Sequence, residues 1–452
     1  MSESEDSTAT PGAGDFGRAQ LEPPSGRPVI AQVADEAPPP DGEAAVAAAP
    51  EVLASSLREY LAVWGRRIRN GESGALPIFG GMVAIVVFFQ LENSHFLTSG
   101  NLVNLFVQST IYIMFGAAEL FALLLSEIDL SVGYAAGVGA FAIAELIAPP
   151  VGLPWWLGIA GGVAFTSLLG FIQGSLITRL GLPSFVVTLG GLLAFEGLML
   201  ELANVDKTAV GGVMTIDSNS PVAKLVQTRM SVTLAWVVLA VVLALFAATA
   251  LARARQRRTR GLSGPPLSVT VLTIALTAVG GIALVAICNS AAPAGVPWVV
   301  PFVLSVLLLW TWLLGRTRLG RYIYAIGANP EAARRAGINV PRIRTIGFVL
   351  CGLTAGLAGL VYESNLGSIA TDIDGGSLVL YAVAAAVIGG ASLFGGRGRP
   401  LHALLGGLVV AAVFNGLGLM GISDAGDDMA TALVLIAAVA LDSLVRRRAT
   451  SR

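Results

Sequence analysis

From about residue 75 onward, the chain alternates long apolar runs with short polar breaks. A helix needs roughly 20 apolar residues to cross the hydrocarbon core of a bilayer. Twelve runs meet that length: 75–92, 102–125, 131–148, 153–178, 183–203, 231–251, 267–288, 297–314, 344–365, 376–394, 402–420 and 428–445. Hydrocarbon offers no partner to an open backbone group, and the runs are too long and uniform for barrel strands, so each predicts a helix. The expected fold is all-α, a polytopic helical membrane protein with about 12 transmembrane helices.

Residues 1–70 break this pattern. Stretches such as Pro38-Pro39-Pro40 and Ala44-Ala45-Val46-Ala47-Ala48-Ala49 are of low complexity, with acidic residues scattered among them. Such a segment buries too little apolar surface to offset its ordering entropy, which predicts a disordered cytoplasmic tail. It lacks the basic n-region and apolar stretch of a signal peptide. A short amphipathic helix is expected from Glu51 to about Arg69, leading into a membrane domain over 71–452.

Composition sharpens the assignment. Charged residues make up 13% of the chain and hydrophobic ones 55%, against about 25% charged in soluble domains. The net charge of −1 argues against a nucleic-acid partner, since phosphate binding needs a basic surface. Cys288 and Cys351 match no zinc or redox spacing and read as small apolar packing residues. His95 and His402 are isolated at opposite ends of the bilayer, so no metal site is expected.

Arginines set the orientation. With an even number of spans, one side collects Arg66, Arg67, Arg69, Arg179 and the group Arg253, Arg255, Arg257, Arg258 and Arg260. The same side holds Arg316, Arg318, Arg321, Arg334, Arg335, Arg342, Arg344, Arg397, Arg399 and the C-terminal arginines. The other side holds Lys207, Lys224 and Arg229. The positive-inside rule therefore predicts cytoplasmic termini and cytoplasmic arginine-rich loops. The hairpin of the sixth and seventh spans carries no intramembrane polar residue suited to a ligand and reads as peripheral packing.

The largest cytoplasmic loop, about 315–343, has its own local logic. Asn329 suits an N-cap with Pro330 at the first helical position. Glu331 falls in the first turn, where the helix dipole favours an acid. Ala332, Ala333 and Ala336 continue the helix, and Gly337 ends it. A helix of barely two turns is unstable alone; it reads either as a docking element for a partner or as a capped loop helix lying on the membrane surface.

This loop resembles the coupling region of the ribose/xylose-type permeases of ABC importers. The resemblance runs through Gly320, Arg321, Tyr324, Ala325, Gly327, Asn329, Ala332, Ala333, Gly337 and Ile338. Three further segments agree in order: Glu127-Ile128-Asp129-Leu130-Ser131-Val132-Gly133, Leu182-Pro183-Ser184-Phe185-Val186-Val187-Thr188-Leu189-Gly190 and Val387-Ile388-Gly389-Gly390-Ala391-Ser392-Leu393-Phe394-Gly395-Gly396-Arg397-Gly398. The chain departs from that pattern at Ser126-Glu127, which stand where the family commonly has Gly-Gly, and in its acidic tail.

The resemblance implies a ten-helix permease core plus an extra hairpin, in the bacterial plasma membrane. It also implies a homodimer that receives a monosaccharide, D-xylose first, from an extracytoplasmic binding protein. ATP would be used by a separate ATPase subunit, and this chain would bind no cofactor. In keeping with that, no G-x-x-x-x-G-K-[ST] loop occurs in the sequence. The coupling surface would comprise Gly320, Arg321, Tyr324, Gly327, Asn329, Pro330, Glu331, Ala332, Ala333, Arg334, Gly337 and Ile338. Candidate translocation-path residues are Glu127, Asp129, Ser131, Gly133, Ser184, Phe185, Thr188 and Asn365.

Glu127 and Asp129 admit two readings. Drawn into the protein, they are costly charges that need partners; left in cytoplasmic water, they are solvated, with Asp129 or Ser131 capping the third span. Among other polar groups, Glu201, Glu363 and Asn365 lie near the outer ends of their spans and are free to face water. Two other function classes compete: an ion-coupled transporter using Glu119, Glu127, Asp129 or Glu145, and a membrane enzyme acting on lipid-linked substrates, for which no metal-type cluster is evident.

Overall fold

The computed structural model describes residues 76–205, 212–261, 265–371 and 373–423, with isolated positions up to 436. The tail over 1–70 and nearly all of the run at 428–445 lie outside the described residues. The other eleven apolar runs are helices. In chain order the helices are α1 (Leu76–Glu92), α2 (Ser99–Leu124), α3 (Val132–Ile147), α4 (Trp155–Arg179) and α5 (Ser184–Val205). Next come α6 (Pro221–Gln227), α7 (Val232–Thr259), α8 (Leu267–Ser290), α9 (Val299–Arg316), α10 (Arg318–Ala328) and α11 (Pro330–Arg335). The described chain closes with α12 (Val340–Leu366), α13 (Gly375–Ile388) and α14 (Pro400–Leu419).

Eight of these are long and apolar enough to cross a membrane: α2, α4, α5, α7, α8, α9, α12 and α14. The apolar helices α1, α3 and α13 are shorter. Helix starts follow local chemistry. Ser231 Oγ accepts from Leu234 N at the head of α7, and Asn339 Oδ1 accepts from Arg342 N at the head of α12, each satisfying an otherwise orphan donor.

Helices α2 and α12 form the centre, with α3, α4, α13 and α14 around them. Between apolar helices in lipid, close van der Waals packing replaces the hydrophobic drive. Small residues supply it here. A methyl group on Gly170 of α4 would collide with the Phe348 carbonyl of α12, and one on Gly352 of α12 with the Thr166 carbonyl of α4. Helix α5 packs onto α3 along one stripe, Val187, Gly191, Phe195, Met199 and Ala203, and leaves its other faces exposed. Helices α7 and α8 pair with each other and are largely exposed.

At one end, Val213–Thr215 (β1) pairs antiparallel with Ser368–Ala370 (β2), with Met214 opposite Ile369. The short helix α6 sits beside the same end of α12, where Ser364 Oγ accepts from Val226 N. Arginine-bearing segments gather at the other end, around the last turns of α2, α4, α7 and α9.

Candidate functional site

The arginine-rich end is organised by the turn that closes α2. Ser126 N donates to the Leu123 carbonyl and Glu127 N to the Ala122 carbonyl, the paired bonds of a Schellman cap. That cap needs a left-handed residue, and Ser126 occupies the position with φ +64°. Serine pays roughly 1–2 kcal/mol for this conformation, which glycine adopts freely. Its hydroxyl lies 3.2 Å from the Gly327 carbonyl and 3.0 Å from the Phe394 carbonyl. One side chain thus ties the end of α2 to α10 and to the 394–398 loop.

Helix α10 is seated against that turn without slack. Thr317 caps it by accepting from Gly320 N, and Gly320, Ile323, Ile326 and Gly327 are its buried face. A methyl group at Gly327 would collide with the Leu124 carbonyl and the Gly396 backbone. Gly396 N donates to that same Leu124 carbonyl at 3.1 Å. The Tyr324 hydroxyl donates to the Gly398 carbonyl at 2.7 Å. Burial pushes this phenol upward, the Arg399 charge opposing it, so the hydroxyl keeps the proton it donates.

Helix α11 follows directly. Asn329 ends α10 and caps α11, its Oδ1 accepting from Ala332 N at 2.9 Å, with Pro330 in the first turn. Glu331 reaches Arg334 at 3.1 Å and Arg335 at 3.5 Å, both pairs well exposed and worth a few tenths of a kcal/mol at most. Gly337 ends the helix at φ +81°. Ala333 is buried and Ile338 packs against the core, whereas Glu331, Ala332, Arg334 and Arg335 face outward. Arg321 is exposed on α10.

Below this surface the 125–131 segment turns back into the protein. Glu127 pairs with Arg344 at the start of α12, at 3.3 Å and partly screened from solvent. Asp129 is buried: its Oδ1 accepts from Ser131 N (3.0 Å) and Ser131 Oγ (2.6 Å), and Cys351 Sγ donates to its Oδ2 (3.4 Å). Ser131 Oγ accepts in turn from Gln173 Nε2 at 2.8 Å, and Glu119 Oε1 accepts from Asp129 N at 3.3 Å. The solvated alternative for Asp129 is therefore set aside. Ser131 stands at the N-cap of α3 without capping it through its side chain.

Thr188 joins this group by donating to the Ile128 carbonyl at 3.2 Å. Ser184, half-buried, begins α5, and Phe185 beside it is exposed. Asn365 is not among them. It lies fourteen residues beyond Cys351 on α12, about 21 Å along the axis, at the end near β2. Glu363 nearby is fully buried rather than facing water, because α6 and the β1–β2 ribbon close over that end of α12.

Gly133 reveals a junction that the sequence reading did not find. A methyl on Gly133 would collide with the Gly375 carbonyl, and one on Gly375 would strike the Tyr134 ring. The N-termini of the two short helices α3 and α13 therefore abut. Asp374 caps α13 by accepting from Ser377 N at 3.0 Å. Tyr134 lies near the carboxylates of Glu196 on α5 and Asp374. The arrangement presents an aromatic face, two carboxylates and a hydroxyl beside paired helix N-termini.

The family described as branched-chain amino acid transport system / permease component matches residues 101–439. The chain is 32% identical over 374 residues to the xylose transport system permease protein XylH of Escherichia coli (strain K12), covering 82% of this chain and 92% of that one. It is 30% identical over 365 residues to the D-allose transport system permease protein AlsC of the same organism, covering 81% and 90%. The ribose import permease protein RbsC of that organism is 27% identical over 366 residues, covering 80% and 92%. No solved structure matches the chain. The matches span the buried Asp129 group, the α3–α13 junction and the α10–α11 surface alike, so this multi-pass protein belongs to the branched-chain amino acid transport system / permease component family, among the ribose/xylose-type permeases of sugar ABC importers.

Proposed function

We propose that the chain is the pore-forming subunit of an ATP-driven monosaccharide importer, with D-xylose its leading substrate. Two copies form the permease in the plasma membrane, with termini and arginine-rich loops cytoplasmic. A separate ATPase docks on α11 and consumes the ATP, and an extracytoplasmic binding protein delivers the sugar. The observation that carries this reading is the mechanical continuity from α11 inward. A helix too short to stand alone exposes Glu331, Arg334 and Arg335, while its neighbour α10 is locked to α2 through Gly327, Leu124 and Ser126. A push on α11 reaches α2 with little slack, and from α2 the Asp129 group and α12.

The sugar passes beside Tyr134, Glu196, Asp374 and Ser377. Neutral, hydroxyl-rich solutes suit acceptors, a hydroxyl and an aromatic face, and the positive ends of α3 and α13 complement sugar oxygens. Xylose leads because XylH is named for it; allose and ribose follow from AlsC and RbsC. The test is uptake of labelled D-xylose by cells lacking the chain and then supplied with it, with unlabelled allose, ribose and galactose as competitors. Restored uptake that resists all three supports xylose; uptake competed away by one of them reassigns the substrate to that sugar.

A second reading draws on the buried Glu119 and Asp129, the Asp129 backbone N donating to Glu119 Oε1. Such a pair suits an ion-coupled transporter. That reading leaves the outward face of α11 without a task.

A further inference from the structure

We propose that an anionic phospholipid binds between the arginine-bearing ends of α7 and α9, with its phosphate held by Arg253, Arg257, Arg260 and Arg316. These four guanidinium groups and Gln256 line one open cleft of about 420 Å³, with no carboxylate in its lining among the described residues. Guanidinium forks match phosphate oxygens in a bidentate manner. The positive-inside rule accounts for arginines at this end of the helices. It does not account for two elements forty residues and more apart turning their arginines onto one cavity. Arg255 and Arg258, on the same turns of α7, do not line it.

The apolar surfaces leading into the cleft select a lipid rather than a free anion. On α7, exposed Val242 and half-buried Phe246 lie within about 20° of Arg253 around the helix axis. On α9, exposed Leu308 and Trp312 lead at four-residue spacing to Arg316. Residues three to four apart share a helix face, so each helix offers apolar surface on the face that ends in arginine. Trp312 sits one turn from the charge, the depth at which aromatic side chains mark the membrane boundary. Basic pockets between membrane helices hold anionic headgroups in this way. The proposal stands independently of the transported substrate.

The full-length protein, purified in a mild detergent, is titrated with phosphatidylglycerol, phosphatidylcholine or inorganic phosphate, and bound ligand is counted by native mass spectrometry. Phosphatidylglycerol should bind at least about tenfold more tightly than either alternative. The Arg257→Gln/Arg316→Gln variant should lose about tenfold or more of that affinity, at roughly fivefold per charge. The Arg255→Gln/Arg258→Gln variant, with the same loss of charge, should retain it. Melting temperatures in phosphatidylcholine establish that both variants are folded. Equal loss in the two variants overturns the proposal in favour of diffuse surface charge. Phosphate binding as tight as the lipid reduces the site to an anion site. Lipid binding that emerges only after the Asp and Glu residues of the N-terminal 43 positions become Asn and Gln assigns the cleft to the chain's own acidic tail instead.

Discussion

The Ser126 hydroxyl lies 3.2 Å from the Gly327 carbonyl, joining the left-handed turn that ends α2 to the close-packed face of α10. Strain and bond oppose each other at this position. Ser126→Gly removes about 1–2 kcal/mol of backbone strain and one shared hydrogen bond worth about 1 kcal/mol, so its melting temperature should stay within a few degrees of the parent. Ser126→Ala keeps the strain, loses the bond and should melt lower. Both should consume more ATP per sugar moved in a reconstituted system; an unchanged ratio would remove Ser126 from the coupling path.

Glu127 and Arg344 form the second tie between the same turn and α12. The pair is partly screened, so breaking it by Glu127→Gln should cost about 1–2 kcal/mol, between the exposed and buried limits. Arg344→Gln should cost the same, and the double variant little more than either. Thermal unfolding of the three variants measures that coupling, and additive losses would contradict a direct pair.

Two glycines of the α10–α11 region fail in different ways when substituted. Gly327→Ala places a methyl against the Leu124 carbonyl, where the backbone leaves no room. It should abolish stable expression or cost about 3 kcal/mol or more. Gly337→Ala meets open space, but at φ +81°, and should cost only about 1 kcal/mol. Yield and melting temperature of the two variants side by side separate a steric requirement from a conformational one.

Asp129 is needed as an acceptor for Ser131. Asp129→Asn keeps a carbonyl oxygen for Ser131 N and should lower stability by less than about 1 kcal/mol. Asp129→Ala strands the Ser131 amide and hydroxyl in a buried place and should cost about 2–3 kcal/mol. The ion-coupled reading predicts something else: Asp129→Asn at full stability with no uptake.

Much of this organisation was legible along the chain. Length and apolarity located eleven helices, because the bilayer imposes a minimum run that no soluble core requires. The cap of α11 was written in Asn329-Pro330 and its end in Gly337, since caps are local chemistry. The inward course of 125–131 was left open by the sequence, because nothing local distinguishes a buried carboxylate from a wet one. Asp129 is settled by Cys351 of α12, which donates to it, and by the neighbouring Ser131, which Gln173 of α4 holds in place. The pairing of β1 with β2, more than 150 residues apart, and the meeting of Gly133 with Gly375 are likewise tertiary facts. Hydropathy reports how long a helix is, not which helix it faces. Asn365, on the same helix as Cys351, lies about 21 Å along the axis from it, a separation that the sequence leaves open.

In the proposed function, ATP consumed by a partner on α11 drives sugar through this chain. The most direct test is uptake of labelled sugar into cells in which ATP is held constant while a protonophore collapses the ion gradients. The parent chain and an Arg334→Glu/Arg335→Glu variant are compared. Parent uptake should survive the protonophore, and the variant should reach the membrane in normal amount yet lose about tenfold or more of its uptake. Parent uptake that collapses with the protonophore, beside undiminished transport by the variant, would contradict the proposed function.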